Sequence, residues 1–249
     1  ALAGSLYLLL CPIYLRRSLI GWYDTDSYNI LFPLFVCACL LFYESARTGR
    51  RRAAYLAGAV LFAWVHSLFW RGWLISHLFV SVAALAAFWR PGRRNKGGPA
   101  ARAGSGHGLY AFFAGPLVLG TICWGTGGMK DQFAEGLKLA RDFFAPSFDI
   151  WPDVFLTVGE LKNSSFTDLL NSVGGWPSLA LAVFGILYRL VGARRHKTSA
   201  RVPFFLLVLL ALHAMLGASI QRFALLAVPV IAIGFGLGAA AVVGALDRA

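Results

Sequence analysis

Residues 223–246 read FALLAVPVIAIGFGLGAAAVVGAL, an apolar stretch that contains no charged side chain. A helix of about 20 apolar residues crosses the hydrocarbon core of a bilayer, so this stretch is long enough to span a membrane. The chain as a whole has the same character, since 58% of its 249 residues are hydrophobic, 14% are charged and the mean hydropathy is +0.67. This composition excludes an ordinary soluble globular protein and predicts an all-α, polytopic membrane protein.

Apolar runs of similar length recur along the chain, and they are too long and continuous for the strands of a membrane β-barrel. We predict about eight spanning helices, the first of them truncated, at residues 1–15, 29–46, 53–70, 73–89, 108–126, 176–192, 202–218 and 223–246. The sequence has no initiator Met and no signal-peptide pattern, and it begins inside an apolar run. We therefore expect residues 1–249 to form a single transmembrane domain that is part of a longer protein.

Basic residues are concentrated in three of the connections between these spans. The three connections carry Arg47, Arg50, Arg51 and Arg52; Arg90, Arg93, Arg94, Lys96 and Arg102; and Arg194, Arg195, Lys197 and Arg201. Cytoplasmic loops of membrane proteins carry an excess of Lys and Arg, so we assign all three connections to the cytoplasmic side. The formal net charge of +12 is then mainly an orientation signal, and it does not indicate a nucleic-acid partner.

Alternation of the spans assigns the remaining connections to the opposite, outer side. These are residues 16–28, the turn around Arg71, the loop 127–175 and the short link around Arg222. Nine of the eleven acidic residues lie in the segments 16–28 and 127–175. The outer side is therefore where we expect carboxylate chemistry.

The loop 127–175 is too long to be a simple connector, and loops of this length are usually functional or disordered. Its first part, residues 129–144, has apolar side chains at helical spacing among charged ones, which predicts an amphipathic helix at the membrane surface. The part after Pro146 is rich in turn formers, and we expect a mobile segment that becomes ordered when a ligand binds.

The stretch GWYDTDSYN, residues 21–29, places Asp24 and Asp26 close together on the predicted outer side. Carboxylate oxygens suit Mg²⁺ or Mn²⁺, which usually take one or two protein carboxylates together with substrate phosphates. The alternative is that Asp26 or Asn29 caps the helix that begins there while Asp24 is simply hydrated.

Arg16, Arg17 and Arg222 are among the arginines that lie on the same predicted side, against the usual charge distribution. Arg16 and Arg17 directly precede the acidic pair, where they either neutralise the acids or bind a phosphate group. Arg222 lies in a link so short that its side chain must stay at the membrane boundary. There it either extends to the interface or binds the phosphate of a lipid-linked substrate.

With these motifs on one face, the chain resembles the catalytic subunit of oligosaccharyltransferases, the family of bacterial PglB and archaeal AglB. RSLIGWYDTD, residues 17–26, is similar to the family's second D-x-D region with its preceding arginine. WPDVFLTVGEL, residues 151–161, is similar to the external-loop motif that ends in glutamate. SIQRFALLAVPVIAIGFG, residues 219–236, is similar to the R-F-x-x-x-x-x-P segment. The resemblance covers essentially the whole chain and implies a GT-C-like membrane domain.

The resemblance also implies a role for each of the singled-out residues. Asp24 and Glu160 would be ligands of a divalent metal, Mg²⁺ or Mn²⁺, and Asp26 would be a second acid that shapes the catalytic site. Arg222 and Arg17 would bind the pyrophosphate of a lipid-linked donor.

The activity implied is the transfer of an oligosaccharide, with inversion, from a polyprenyl-(pyro)phosphate donor to the asparagine of an N-x-S/T sequon. The expected location is the outer or periplasmic face of a prokaryotic cell membrane, with the loop 127–175 closing over the acceptor polypeptide. Two motifs of the complete family, an earlier catalytic aspartate and W-W-D-x-G, are not in this sequence, and we expect them elsewhere in the longer protein.

Bacterial members that require an acid at position −2 of the sequon carry an arginine about a dozen residues after the loop glutamate. Here that count reaches Asn171 and Ser172, and no arginine lies nearby.

Two other classes of protein fit part of the pattern. One is another membrane glycosyltransferase that uses polyprenyl-phosphate sugars, of the protein O-mannosyltransferase or lipid A sugar transferase type, although the TVGE and R-F-x-x-x-x-x-P segments argue against it. The other is a transporter or non-enzymatic membrane scaffold, which predicts charges near the bilayer midplane or broken helices that the sequence does not clearly contain.

Overall fold

A computed structural model of the chain describes residues 2–13, 26–46, 48–69, 73–88, 106–144, 164–196, 199–219 and 224–247. Within these ranges it leaves out the side chains of residues 26–29, 106–107, 135–136, 138–144 and 219. The helices are α1 (Leu2–Leu10), α2 (Asp26–Ser45), α3 (Gly49–Phe69), α4 (Trp73–Phe88), α5 (Gly106–Phe144), α6 (Phe166–Ser172), α7 (Gly175–Arg195), α8 (Arg201–Ser219) and α9 (Ala224–Leu246). No strand occurs in these ranges, and the prediction of an all-α protein is confirmed.

Five of the described helices are long and apolar enough to cross a membrane: α3, the Gly108–Ala134 part of α5, α7, α8 and α9. The apolar parts of α2 and α4, Ile30–Ser45 and Trp73–Phe88, are shorter. Each of the eight predicted spans overlaps one described helix. The prediction of a polytopic helical membrane protein is therefore confirmed.

A break in α5 lies at the end of the predicted span 108–126. Gly125 has φ 70° and ψ 173°, so the helical backbone is interrupted there and two helices follow each other across a kink. Glycine tolerates a positive φ because it has no Cβ. Helix continues beyond the kink to Phe144, as the amphipathic pattern of residues 129–144 predicts.

Helix α6 differs from the expectation for the loop 127–175. The turn formers after Pro146 predicted a mobile segment, whereas residues 166–172 form a helix with Leu169 and Leu170 buried. The turn formers at its start act as a helix cap, because a serine side chain can satisfy the free N–H groups of a first turn.

The described helices fall into two compact units. One comprises Ala1–Ile30 with Arg141–Ala249, and the other comprises Leu31–Ala140. A single membrane domain over residues 1–249 stays a prediction, because a compact unit is not by itself an independently folding domain.

In the unit Leu31–Ala140, aromatic side chains join α2 to α3. The ring centroids of Phe35 and Phe62 are 4.9 Å apart, and those of Phe42 and Tyr55 are 5.4 Å apart. Helices α4 and α5 are joined by the buried imidazole of His77, whose Nε2 lies 3.2 Å from the carbonyl oxygen of Phe113.

In the other unit, α9 is the central helix and packs against α1, α7 and α8. Residues 224–232 of α9 are all buried. This is the result expected for a helix that is apolar around its whole circumference.

Close packing around α9 depends on small residues. A Cβ at Gly185 of α7 would collide with the backbone of Gly234 and Gly238, and a Cβ at Gly4 of α1 would lie 2.6 Å from the carbonyl oxygen of Ala232. In a bilayer, helices associate largely through such close van der Waals contact, because lipid tails are as apolar as the side chains.

The contact between α7 and α9 predicts opposite effects of the same substitution at two positions of α7. Gly185→Ala should lower the free energy of unfolding by about 1–3 kcal/mol, because the added methyl group overpacks the helix crossing. At Gly192 a Cβ would meet nothing within 4 Å. Gly192→Ala should therefore raise stability by up to about 1 kcal/mol through helix propensity. Thermal unfolding in detergent measures both, and equal stability of the two variants would contradict the described helix crossing.

Candidate functional site

The residues predicted to carry the chemistry lie at the edges of the described structure. Asp24, Glu160, Arg17 and Arg222 fall outside the described residues. Asp26 is described as the first residue of α2, where the positive end of the helix dipole favours a carboxylate. The helix has already begun by Asn29, so Asn29 is not its N-cap. The described residues next to the three motifs therefore indicate where the candidate site lies.

The chain enters the Asp24 segment from α1, through Cys11 and Pro12. Cys11 is buried, and its Sγ lies 3.7 Å from the carbonyl oxygen of Ser172, at the end of α6. Pro12 Cδ would be 3.7 Å from a Cβ placed at Gly174, in the turn that follows α6. The described end of the Asp24 segment thus packs on the C-terminal end of α6.

The chain leaves the Glu160 segment into the N-terminal end of α6, which begins after Ser165. The opposite end of α6 is fixed by a hydrogen bond across the sequence, in which the Tyr7 hydroxyl donates to the carbonyl oxygen of Val173 at 2.9 Å. Leu169 and Val173 are buried on the same short element.

The Arg222 link runs between the end of α8 and the start of α9. A Cβ at Gly217 of α8 would lie 2.9 Å from Ala224 Cα and 3.0 Å from Leu169 Cδ1. Residues on both sides of the link are therefore close to each other, and one of them packs against α6. One described flank of each motif lies at α6: α1 before Asp24, α6 itself after Glu160, and α8 before Arg222. All three flanks belong to a single compact unit.

The basic connection 193–201 lies at the other end of the same helices. Arg194 and Arg195 are in the last turn of α7, and α8 begins at Arg201. The N-terminal end of α7 follows Gly174, beside α6. The arginine-rich end and the end that carries the three flanks are thus separated by the length of α7.

A capping box fixes the first turn of α6. The Ser165 hydroxyl oxygen accepts from the Asp168 N–H at 3.2 Å. One carboxylate oxygen of Asp168 accepts from the Ser165 N–H at 2.8 Å and from the Ser165 hydroxyl at 2.7 Å. Hydrogen bonds from the backbone N–H and the hydroxyl of Ser165 lower the pKa of Asp168 below its ordinary value of 3.8, because they stabilise the ionised carboxylate.

Within the described part of the chain, no group of three or more His, Cys, Asp and Glu side chains is close enough to hold a metal ion. The predicted ligands Asp24 and Glu160 lie outside that part. Their assignment to a metal stays a prediction.

Known proteins resemble the first part of the chain. Residues 1–113 match the family model described as oligosaccharyl transferase STT3, N-terminal. This part of the chain is similar to that family. The match agrees with the resemblance inferred from the motifs, and the matched residues include Arg17, Asp24 and Asp26. Glu160 and Arg222 lie beyond them, and the roles of all five residues stay predictions.

The chain is also similar to the dolichyl-phosphooligosaccharide-protein glycotransferase of Methanocaldococcus jannaschii. The two are 34% identical over 102 residues, which is 39% of this chain and 10% of the relative. The chain therefore matches about a tenth of the length of this curated relative. No solved structure shows a significant match to the chain.

The residues that fix the position of α6 were not predicted from the sequence. Ser165 and Asp168 form an S-x-x-D pattern, which is a recognisable signal for a capping box. Tyr7 and Cys11 offered no such signal, because their partners lie more than a hundred and fifty residues away in the sequence.

The capping box predicts that the local stability of α6 depends on pH. Because the folded-state pKa of Asp168 is depressed, its stabilising contribution is fully present above the ordinary pKa of 3.8 and is lost as the pH falls through the folded-state pKa. Amide hydrogen exchange of α6, corrected for the intrinsic rate at each pH, should show this loss of protection. Asp168→Asn should remove the pH dependence.

A matched pair of variants separates the cap from the rest of the helix. Ser165→Ala should destabilise α6 by about 0.5–2 kcal/mol, whereas Thr167→Ala, at an exposed position of the same helix, should change it much less. Unchanged protection in Ser165→Ala would show that the capping box does not stabilise α6.

Proposed function

We propose that the protein to which this chain belongs transfers an oligosaccharide from a polyprenyl-(pyro)phosphate donor to the asparagine of N-x-S/T sequons. The observation that carries this proposal is the meeting of the three motif flanks around α6. Motifs that are far apart in the sequence would then contribute to one site. The match of residues 1–113 to the oligosaccharyl transferase STT3 model supports oligosaccharyl transfer as the class of reaction.

The similar archaeal protein, by its name, takes an oligosaccharide on a dolichyl phosphate and acts on protein. These two substrates fit the charges available here. A lipid-borne phosphate requires cations at the membrane boundary, and Arg222 and Arg17 supply guanidinium groups that bind phosphate oxygens in pairs. An acceptor polypeptide requires groups that prepare its amide for reaction, which we assign to the acids.

An asparagine amide nitrogen is a poor nucleophile because its lone pair is delocalised into the carbonyl group. Carboxylates that accept hydrogen bonds from both N–H bonds would orient the amide and weaken this delocalisation, and we assign Asp26 to this role together with Asp24. Attack on the anomeric carbon from the side opposite the departing pyrophosphate forms the N-glycosidic bond and inverts that carbon. The nitrogen gives up one of its two protons to one of these carboxylates. The leaving group carries away the bonding electron pair and is stabilised by Arg222 and Arg17.

The donor set fits a divalent cation of the Mg²⁺ or Mn²⁺ type. Asp24 and Glu160 offer carboxylate oxygens only, the ligands that these hard cations prefer. The described flanks of both segments are joined at α6, so both carboxylates can belong to one site. A bound cation would supply Lewis-acid stabilisation of the negative charge that develops on the pyrophosphate. We propose that the site faces the outer or periplasmic side of a prokaryotic cell membrane, opposite the arginine-rich connections.

The central test is oligosaccharide transfer by the complete protein. Asp24→Ala and Glu160→Gln should each reduce the rate by about a hundredfold or more, which corresponds to roughly 3 kcal/mol of lost transition-state stabilisation. The fold-reduction in rate of the double variant should be far smaller than the product of the two single reductions, because both residues act as one unit. Binding of Mn²⁺, followed by electron paramagnetic resonance, should weaken in both variants. Asp247→Asn, an exposed acid at the end of α9, serves as the control. Transfer at the normal rate by either single variant would refute the assignment.

Acceptor choice gives an independent prediction. The position reached by counting a dozen residues from Glu160 lies in α6, around Asn171 and Ser172, and the charged residue of α6 is Asp168. Without a cation there, nothing compensates the desolvation of an acid at position −2 of the sequon.

The protein should therefore accept a plain N-x-S/T sequon. Two acceptor peptides that differ only in Asp or Ala at position −2 should react at rates within about tenfold of each other, since a difference of that size corresponds to only about 1.4 kcal/mol. A preference for Asp of about a hundredfold would show that another residue supplies a cation.

A further inference from the structure

One tyrosine is in contact with elements that adjoin all three motifs. Tyr7 lies on α1, the helix that precedes the Asp24 segment. Its hydroxyl donates to Val173 in the turn after α6, and its ring stacks on Phe235 of α9 with centroids 5.1 Å apart and an angle of 24° between the rings. Helix α9 begins two residues after Arg222. The Tyr7 side chain therefore connects α1 with the turn after α6 and with the middle of α9.

The hydrogen bond satisfies a carbonyl group that the helix itself leaves without a donor. Val173 is the C-cap of α6, and its own N–H bonds to the carbonyl oxygens of Leu169 and Leu170. The chain then turns sharply, with Gly174 and Gly175 at φ 86° and 82°, so the helix does not continue to supply a donor for the Val173 carbonyl. Val173 is completely buried, and a buried acceptor that loses its donor is costly.

The rest of the turn is held by weaker or more exposed contacts. Ser178 Oγ donates to the Gly174 carbonyl at 3.1 Å in an exposed position. The Cys11 thiol is 3.7 Å from both the Tyr7 hydroxyl and the Ser172 carbonyl, and thiols are weak donors. Among the described contacts, the Tyr7 hydroxyl is thus the strong donor that ties α1 to the turn.

We propose that Tyr7 is a positioning residue for the transfer reaction, which holds the C-terminal turn of α6 against α1 and α9, the described helices next to the motifs in the sequence. This inference rests on the proposed function. Only three residues separate Glu160 from Ser164, where the described chain resumes. Because α6 is the described helix that follows Glu160 most closely in the sequence, we expect a displacement of α6 to displace this glutamate as well. Misplacement of reacting groups by about 1 Å can lower a rate by about a hundredfold.

The test uses Tyr7→Phe in the complete protein. This variant keeps the ring that stacks on Phe235 and removes only the hydroxyl. Tyr188→Phe is the matched control, because Tyr188 lies on α7 in the same compact unit and is exposed. The first measurement is amide hydrogen exchange, which does not depend on activity.

Residues 169–173 should exchange about tenfold faster or more in Tyr7→Phe, while the core of α7 around Ile186 keeps its protection. Tyr188→Phe should match the unsubstituted protein throughout. Unchanged exchange at residues 169–173 would overturn the proposal, whether or not the protein is a transferase.

The second measurement is steady-state transfer, normalised to the amount of protein that binds the lipid-linked donor. A positioning role predicts that kcat falls by about tenfold or more in Tyr7→Phe, while KM for the acceptor peptide changes by less than about threefold. Normal kcat with faster exchange would mean that the hydroxyl only stabilises α6, and the positioning role would be rejected. No transfer by the unsubstituted complete protein would refute the proposed function, and the exchange measurement would still decide whether Tyr7 holds the turn.

Discussion

A buried backbone N–H or carbonyl group requires a hydrogen-bond partner, and the packing of α6 against its neighbours depends on this constraint. Helices satisfy their own N–H and carbonyl groups, but the turn between α6 and α7 has no such ladder, and Val173 within it is completely buried. The chain solves this with side chains from elsewhere in the sequence. Tyr7 supplies a donor to the end of α6, and the Ser165–Asp168 pair satisfies its start. Through these bonds, a helix of only seven residues has a fixed place between α1, α7 and α8.

The second requirement is close approach around α9. Small residues remove the side chains that would otherwise separate the helices, so the backbones of α1 and α7 lie directly against α9. Contact at this distance favours one axial position of α1 and α7 relative to α9. A shift along the helix axis would bring larger side chains into the contact. The same packing determines the position of Tyr7 along α9, where its ring stacks on Phe235. The position of the turn after α6 depends in turn on that of Tyr7.

Helices could be predicted from the sequence wherever the signal is local. The apolar run 223–246 corresponds to α9, and Gly125 marks the end of a predicted span. The start of α6 has a local signal in its capping box, but the stability and position of the helix could not be predicted in this way. They depend on a partner in α1 and on burial of Leu169 against α8. For the site, the motifs and their common face were predicted from the sequence, and residues 1–113 match the family model. The contacts that bring the flanks together are long-range, and no local pattern encodes them.

The capping box has a further consequence. Residues 163–165 read Asn-Ser-Ser, which is itself an N-glycosylation sequon, and its third residue is the N-cap of α6. The hydroxyl that a modifying enzyme would have to recognise is already engaged with Asp168 as both donor and acceptor. Any enzyme that used this sequon would first have to open the initial turn of α6. Under the proposed function, the protein would carry a sequon whose serine hydroxyl is already hydrogen-bonded within its own fold.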